Sequence, residues 1–271
     1  MSFKKKLANA TGLAERVLPS SYQIIGTVLL LKLAKIKSFD EKRKIASAII
    51  NLLPYIKTVC EIIKVEREFR IPKIRKLAGN GTVTTHKEHE ILYKLDASKI
   101  MFSKGNLNER QRLIRQVKKN EIIVDMFSGI GYFSLGLAKN ARKIYAIEKN
   151  PVAFRYLKEN IKLNKTKNII PILGDNRKIS KNLTGKADRI IMGYFPNTEK
   201  FLPSAITMLK KKGIIYFHNT YREGELWKKP INEIYTCECG LKMHWKVAEG
   251  RSDGCPKCNR KIPLSEIFEG E

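Results

Sequence analysis

Residues 121–135 read EIIVDMFSGIGYFSL, and this stretch decides the fold. Its first part is a short apolar run with Asp125 near its end, which predicts a β-strand. The turn Ser128-Gly129-Ile130-Gly131 follows, and a helix-like pattern extends from Tyr132 to Lys139. Glycines in such a turn permit positive φ angles and let a ligand approach the main chain. The order of strand, glycine-rich turn and helix indicates a ligand-binding α/β sheet, although many turns of this kind contain glycine for steric reasons alone.

Two further apolar runs end in polar side chains. The run KIYAI (143–147) ends at Glu148, and the run IIPIL (169–173) is soon followed by Asp175 and Asn176. The carboxyl ends of parallel strands meet at one edge of the sheet, where ligands bind. Glu148 is therefore predicted to accept hydrogen bonds from both hydroxyls of a ribose. The acid and amide of Asp175 and Asn176 are predicted to hold the amine and a ring nitrogen of an adenine.

The glycine pattern narrows the choice of ligand. It is G-x-G without the third glycine of dinucleotide sites, and no G-x-x-x-x-G-K occurs. S-adenosylmethionine, a nucleoside without a pyrophosphate, fits this better than NAD or ATP. The turn residues predicted to contact it are Phe127, Ser128, Gly129 and Gly131. Two later apolar runs, 187–192 and 213–218, complete five predicted strand–helix units over residues 121–219.

The chain is strongly basic. Lysine and arginine number 53 against 26 acids, a net charge of +27 in 271 residues. Such an excess favours a polyanionic partner, most simply nucleic acid bound through its phosphates. A lysine-rich solvated surface and an anionic membrane surface are the alternatives. The longest apolar run, 24–33, is too short to span a bilayer, and the first residues do not resemble a signal peptide, so a cytoplasmic location is expected.

Residues 1–100 predict a small α+β domain. A helix is expected over 38–53, with an apolar stripe and Pro54 as its breaker. The remaining expectations are a helix over 8–18, a bent strand over 21–33 with a kink at Gly26, strands over 58–65 and 88–95, and a short strand over 99–102. A basic helix over 108–119 follows. Cys60 lies in an apolar run and is assigned to the core.

Four of the five cysteines lie together near the C-terminus. Cys237 and Cys239 form one close pair, and Cys255 and Cys258 form a second. Two such pairs in a cytoplasmic chain favour a structural Zn²⁺ held by four thiolates, as in a zinc ribbon. The first pair is tighter than usual, which leaves His244 open as a substitute ligand. Four unliganded thiols are the other alternative.

Several stretches together resemble one group of archaeal and eukaryotic tRNA enzymes. They are GNGTVTTHKEHEILYKLDASKIMFSKGNLNERQR (79–112), VDMFSGIGYFSL (124–135), EKNPVAFRYLKENIKLNK (148–165), GDNR (174–177) and ADRIIMGY (187–194). The group modifies the guanosine next to the anticodon. The resemblance implies a small N-terminal domain followed by a class I, Rossmann-like S-adenosylmethionine methyltransferase domain. Together with the cysteine pairs it gives three expected domains. They are a small tRNA-contacting domain over 1–100, a Rossmann-like catalytic domain that binds S-adenosylmethionine over 101–222, and a four-cysteine zinc-binding segment over 223–271.

The group has two branches. One methylates guanine N1. The other transfers the 3-amino-3-carboxypropyl group of S-adenosylmethionine to 4-demethylwyosine of tRNA(Phe) in wybutosine synthesis. The methylating branch has Asn-Leu-Pro after the fourth strand, whereas this chain has Gly193-Tyr194 there, and Tyr132 replaces a common proline. These differences favour aminocarboxypropyl transfer. Guanine N1 methylation, methylation of another RNA and a non-catalytic tRNA-binding module are the alternatives.

The resemblance also implies contacts to the methionine part of the donor. Ser103 and Arg110 would hold it, and a guanidinium suits a carboxylate because it offers two parallel hydrogen bonds. Alternatively, Arg110 is a helix charge that faces phosphate, and Ser103 is a cap. No general base is assigned, although Glu121 lies near the candidate base of the methylating branch. The oligomeric state is not predicted.

Overall fold

The computed structural model describes residues 1–66, 71–103, 107–194 and 197–218, and the backbone alone of 235–236 and 242–244. The chain divides into two compact units, Met1–Asn106 and Leu107–Glu271. Among the described residues, no helix is long and apolar enough to cross a membrane. The three domain limits expected from the sequence stay predictions.

The first unit is a four-stranded sheet covered by helices, with a separate hairpin. Its described helices are α1 (Phe3–Thr11) and α2 (Phe39–Leu52), and its described strands are β1 (Tyr22–Ile25), β2 (Val28–Leu31), β3 (Thr58–Val65), β4 (Pro72–Gly79), β5 (Val83–Glu88) and β6 (Ile91–Asp96). The sheet order is β1-β2-β3-β4, and β5 and β6 form the hairpin. Ile45 and Ile49 of α2 pack in one core with Leu29 and Val59 of the sheet.

Helix α2 forms where the sequence predicts it. The Ser38 hydroxyl accepts a hydrogen bond from the Glu41 backbone N–H at 3.4 Å and so caps the first turn. The apolar stripe of the helix buries Ile45 and Ile49 almost completely. The helix ends at Leu52 because Pro54 disfavours a helical backbone at the residue before it. Strand 58–65 is likewise confirmed, and Cys60 is fully buried in it.

Other predictions for the first unit are wrong. The expected bent strand over 21–33 is the β1–β2 hairpin, because Gly26 has a φ of 54° and opens a two-residue turn. The expected helix over 8–18 is α1, which ends before Gly12, a left-handed cap with a φ of 69°. Both errors arise because a glycine with positive φ ends an element that apolar patterning alone would extend.

The hairpin β5–β6 also corrects the sequence reading. The expected strand over 88–95 is split by a turn at His89, which has a φ of 52°, so Glu88 ends one strand and Ile91 begins the next. Residues 99–102, expected as a strand, form a turn and an irregular segment. Strand β4 was not predicted, because its alternation of cations and apolar residues is weak.

The second unit is built on a mainly parallel sheet, as predicted. Its strands are β7 (Ile122–Asp125), β8 (Lys143–Glu148), β9 (Ile169–Leu173), β10 (Ala187–Met192), β11 (Leu209–Phe217), β12 (Tyr235–Thr236) and β13 (Lys242–His244). The order is β12-β13-β11-β10-β7-β8-β9, and every pair is parallel except β12 with β13. The α/β fold class is therefore confirmed. Its edge is completed by backbone from the segment where the sequence predicts a cysteine-rich domain.

The helices of the second unit are shorter than expected. They are α3 (Leu107–Gln116), α4 (Ser134–Leu137), α5 (Pro151–Leu163), α6 (Asn176–Ile179) and α7 (Leu202–Met208). The helix expected over 132–139 is thus a single α-turn, and the helix expected over 108–119 ends at Gln116. The strand expected over 213–218 begins earlier, at Leu209, so lysines 210–212 lie in β11, where the register is irregular. The core of the sheet buries Val124, Ile190 and Ile215.

Candidate active site

The predicted ligand residues follow three neighbouring strands at one edge of the sheet. β7 ends at Asp125, β8 at Glu148 and β9 at Leu173, and the three strands are adjacent and parallel. β10 pairs with the other side of β7, so the chain order reverses between β7 and β10. Such a reversal opens a crevice at the carboxyl ends of the strands, which is where open α/β sheets bind ligands.

Glu148 is fixed against the glycine-rich turn. Its Oε2 accepts the Gly129 N–H at 2.7 Å, and its Oε1 accepts the Asn150 N–H at 2.7 Å. Burial raises the pKa of Glu148 above its ordinary value, while the backbone N–H donors act in the opposite direction. Each carboxylate oxygen can accept more than one hydrogen bond, so the oriented group can still accept from a ligand hydroxyl.

The two glycines of the turn are required by its geometry. Gly129 has a φ of 57° and Gly131 a φ of 100°. A Cβ at Gly129 would lie 2.7 Å from the Tyr132 ring, and a Cβ at Gly131 would lie 2.8 Å from Leu135 Cγ. The turn therefore has the close packing and the left-handed backbone that only glycine accepts without strain.

Asp125 and Asn160 make buried hydrogen bonds that stabilise the glycine-rich turn and the helix after it. These two roles were not predicted from the sequence. The fully buried Asp125 accepts from the Ser134 hydroxyl at 2.6 Å, and burial raises its pKa to about 6, with the Glu148 charge acting in the same direction. The fully buried Asn160 donates to the Ile130 carbonyl at 3.0 Å. Asn160 continues the buried stripe of α5, and a polar side chain in such a stripe is the signal that could have revealed it.

Ser128 and Phe127 contact other parts of the protein. The Ser128 hydroxyl and N–H both donate to the Ile147 carbonyl, at 2.9 and 3.0 Å, which ties the turn to β8. The Phe127 ring stacks on Tyr194 at a centroid distance of 4.9 Å and meets Phe201 edge-on at the same distance. Tyr194 and Phe201 were not predicted as site residues, yet they extend the carboxyl edge from β7 toward β10.

Asp175 and Asn176 differ in orientation. The Arg177 guanidinium donates to both oxygens of Asp175, at 2.9 and 2.6 Å, and these hydrogen bonds lower the pKa of Asp175 to about 2. Asn176 is almost fully buried, and its amide donates to the Met126 carbonyl at 3.0 Å. The Asn176 side chain therefore faces into the protein, and its predicted contact with an adenine stays a prediction.

Arg110 lies beside the glycine-rich turn. It is 5% exposed, and its guanidinium carbon is 5.1 Å from the centroid of the Tyr132 ring, one residue after Gly131. The structure thus brings a residue singled out only by resemblance next to the turn that the sequence pattern identified. Ser103 belongs to the first unit, and its predicted role stays a prediction.

The first turn of α3 is also linked to the end of β11. His218 Nε2 is 3.3 Å from Glu109 Oε1, and Arg112 donates to both oxygens of Glu109 at 2.7 Å. Burial opposes ionisation of Glu109, but the hydrogen bonds and charges of Arg112 and His218 outweigh it and lower its pKa to about 2. This contact holds α3, and with it Arg110, at the carboxyl edge.

Glu121 is engaged in a buried ion pair. Arg189 donates to both of its oxygens, from Nε at 2.9 Å and from Nη2 at 2.8 Å. Glu121 also precedes β7, so it lies at the amino end of that strand and not at the carboxyl edge. The structure gives no reason to assign it as a general base.

The predicted zinc ligands lie outside the residues that the structure describes. Within residues 1–66, 71–103, 107–194 and 197–218, no group of three or more His, Cys, Asp or Glu side chains could hold a metal ion. The four candidates, Cys237, Cys239, Cys255 and Cys258, lie outside the described residues.

Known protein families and individual relatives match most of the chain. The TRM5/TYW2 methyltransferase domain matches residues 84–244, and the TYW2 N-terminal domain matches residues 5–82. A tRNA(Phe) (4-demethylwyosine(37)-C(7)) aminocarboxypropyltransferase of Methanocaldococcus jannaschii is 45% identical over 82% of this chain and 88% of that protein. The tRNA (guanine(37)-N(1))-methyltransferase Trm5b of Pyrococcus abyssi is 37% identical over 82% of this chain and 66% of that protein.

A solved structure shows the same fold with a nucleoside bound. The crystal structure of M. jannaschii TYW2 in complex with AdoMet (S-adenosylmethionine) has a TM-score of 0.57 and 40% identity, and it covers 73% of this chain and 75% of that one. In this chain, the glycine-rich turn and the oriented Glu148 carboxylate lie at the edge of the sheet where such folds bind ligands.

Proposed function

The chain belongs to the TRM5/TYW2 methyltransferase family, and we propose that it transfers the 3-amino-3-carboxypropyl group of S-adenosylmethionine to 4-demethylwyosine of tRNA(Phe). It is thus an S-adenosylmethionine-dependent transferase of wybutosine synthesis. This choice rests on the likeness to the aminocarboxypropyltransferase. Its sequence identity to this chain is higher than that of the guanine methyltransferase, and a larger share of its length is matched. The match of residues 5–82 to the TYW2 N-terminal domain supports the same branch.

The site residues have distinct proposed roles. Glu148 accepts the ribose hydroxyls, because its carboxylate is already oriented by the Gly129 and Asn150 N–H groups. The nucleoside lies against the main chain of the turn, at Phe127, Ser128, Gly129 and Gly131. Asp175 and Asn176 border the adenine, and Arg110 holds the carboxypropyl part of the donor. The contact of Ser103 with that part stays a prediction from the resemblance.

The reaction depends mainly on positioning. When bound, S-adenosylmethionine supplies an electrophilic carbon next to its sulfonium. In the transfer, C7 of the base forms a bond to the carbon of the carboxypropyl arm, the carbon–sulfur bond breaks, methylthioadenosine leaves, and the base loses a proton. A sulfonium has three carbons open to attack, so the side chains that fix the methionine arm decide which one faces the base. Arg110 lies beside the turn, with its guanidinium over the Tyr132 ring, and is therefore suited to fixing the methionine arm.

Gly193 distinguishes this site from that of the methylating branch. A Cβ at Gly193 would lie 2.6 Å from Cε2 of the Phe133 ring, so the space next to this backbone is filled by an aromatic side chain. The chain therefore offers no side-chain amide at the position where the methylating branch has its Asn. This agrees with the transfer of a different group to a different base.

Analysis of the products tests the proposal. The protein is incubated with S-adenosylmethionine and tRNA(Phe) that carries 4-demethylwyosine, and the nucleosides and the spent donor are identified by mass spectrometry. We expect an added aminocarboxypropyl group and methylthioadenosine. An added methyl group with S-adenosylhomocysteine would assign the chain to methyl transfer instead, as in the P. abyssi relative, and binding of tRNA without either product would make it a non-catalytic module.

A zinc ion in the C-terminal segment is a further part of the proposal. The spacing of Cys237, Cys239, Cys255 and Cys258 supports a structural Zn²⁺ on four thiolates, with His244 as the alternative fourth ligand. Elemental analysis of protein purified without chelator should give about one zinc per chain, as a single four-thiolate site requires. Zinc-free protein that still folds and binds donor would contradict the site. A cytoplasmic location stays a prediction.

A further inference from the structure

A basic groove lies within the first unit, between the first turns of α2 and the end of β4. Its volume is about 330 Å³, and its lining residues are Phe39, Arg43, Lys76, Leu77, Ala78 and Gly79. Two of these six are cations and none is an acid. The predicted donor site does not use any of these residues.

The aromatic side chain in the groove is exposed beside an arginine. Phe39 is the first residue of α2, directly after the cap Ser38, and it is 46% exposed. The Arg75 guanidinium carbon lies 5.9 Å from the centroid of its ring. A single exposed Phe is common on protein surfaces. An exposed ring at the start of a helix, with an arginine beside it, is the kind of platform on which an unstacked base can stack.

A buried acid lies near Arg75, the arginine beside the Phe39 ring. Glu61 of β3 is 6% exposed; its Oε1 contacts Lys42 Nζ at 2.6 Å, and its Oε2 is 3.9 Å from Arg75 Nη1. Oε2 is buried and makes no hydrogen bond. The Arg75 side chain itself stays half exposed. Glu61 thus attracts Arg75, whose half-exposed guanidinium can donate to an outside acceptor.

We propose that this groove binds the substrate tRNA, with backbone phosphates on Arg43, Lys76 and Arg75 and one unstacked base on Phe39. Lysine and arginine side chains supply the phosphate contacts of most nucleic-acid interfaces, and an aromatic ring binds any unstacked base by its face. The net charge of +27 gives the whole chain the matching electrostatic attraction. The inference rests on the proposed function, because it takes that function's tRNA as the ligand.

An acidic protein segment would match the cations but not the ring. Carboxylates pair with Arg43 and Lys76 as phosphates do, whereas they gain nothing from an exposed aromatic face. The role of Phe39 therefore separates the two kinds of partner, and the arrangement on α2 and β4 favours RNA.

Binding of tRNA over a series of salt concentrations tests the groove. The double variant Arg43→Ala/Lys76→Ala should bind tRNA(Phe) carrying 4-demethylwyosine about tenfold more weakly. The slope of log affinity against log salt should fall by about 2, since roughly one unit is lost per phosphate contact. Phe39→Ala should weaken binding about tenfold with an unchanged slope, and Phe39→Trp should restore it. The control Lys6→Ala/Lys87→Ala removes two exposed lysines outside the groove and should have a much smaller effect.

The outcomes distinguish the groove from the proposed function. Binding of S-adenosylmethionine, measured by calorimetry, should be the same in all of these variants, which also shows that they fold. Groove variants that match the control in affinity and slope, while the wild type binds tRNA and makes product, would overturn the groove alone. So would tRNA binding that survives Phe39→Ala unchanged but is displaced by an acidic peptide. A wild type that binds no tRNA would overturn the groove and the proposed function together.

Discussion

Replacing Glu148 by alanine is expected to weaken the binding of S-adenosylmethionine at least about a hundredfold. The carboxylate would make two hydrogen bonds to the ribose, and a hydrogen bond to a charged group contributes roughly 1.5–3 kcal/mol. The substitution also leaves the Gly129 and Asn150 N–H groups without their acceptor, which loosens the turn that forms the rest of the site. Calorimetric titration with S-adenosylmethionine measures the effect directly.

Two further variants show whether charge is the cause. Glu148→Gln keeps the shape and one acceptor oxygen, so it should fall between alanine and wild type. Glu159→Ala removes an acid of α5 that pairs with Arg155 on the same helix, and it should bind normally. Wild-type affinity is also expected to fall as the pH drops through the pKa of Glu148, because a protonated carboxyl accepts fewer hydrogen bonds. Burial raises this pKa above its ordinary value, so the loss begins at a higher pH than for an exposed Glu. A folded Glu148→Ala protein with wild-type affinity would remove Glu148 from the site.

The carboxyl edge of the sheet was predictable because its signals are local. A strand, a glycine-rich turn and an acid at the end of the next strand are each visible in a few residues, and parallel pairing brings them together. The supports of the turn were not visible in this way. Asp125, Ser134 and Asn160 are far apart in the chain or hidden in apolar patterns, and only the three-dimensional packing shows what each one holds.

The errors of the sequence analysis have a common physical origin. Apolar runs over 21–33 and 88–95 were taken as single strands, because hydrophobic patterning does not report φ. Gly26 and His89 adopt left-handed backbone and reverse the chain within those runs. Similarly, the apolar run over 213–218 does not show where its strand begins, because the pairing of Ala187 with Leu209 draws lysines 210–212 into β11. Tertiary pairing outweighs local preference at such places.

Breaking the Arg189–Glu121 ion pair is expected to lower the stability of the protein strongly. Arg189 is 3% exposed, and besides both oxygens of Glu121 it donates to the Tyr216 hydroxyl and to the Gln116 carbonyl. Arg189→Ala removes one charge and leaves the Glu121 carboxylate in a site with little access to water. Breaking a buried pair in this way costs about 3–5 kcal/mol. At roughly 2–4 °C per kcal/mol for a chain of this size, the melting temperature should fall by about 10 °C.

A double substitution separates the loss of the pair from the loss of packing. Arg189→Met with Glu121→Leu replaces both charges by apolar groups, and exchange of a buried pair for apolar side chains is often close to neutral in the free energy of unfolding. We therefore expect the double variant to recover most of the stability that Arg189→Ala loses. The wild type, Arg189→Met, Glu121→Leu and the double variant form a double-mutant cycle. Chemical denaturation of each gives the coupling energy. If Arg189→Ala unfolds at the wild-type denaturant concentration, or if the double variant is as unstable as the single one, the buried pair is not what ties β10 and β11 to the end of α3.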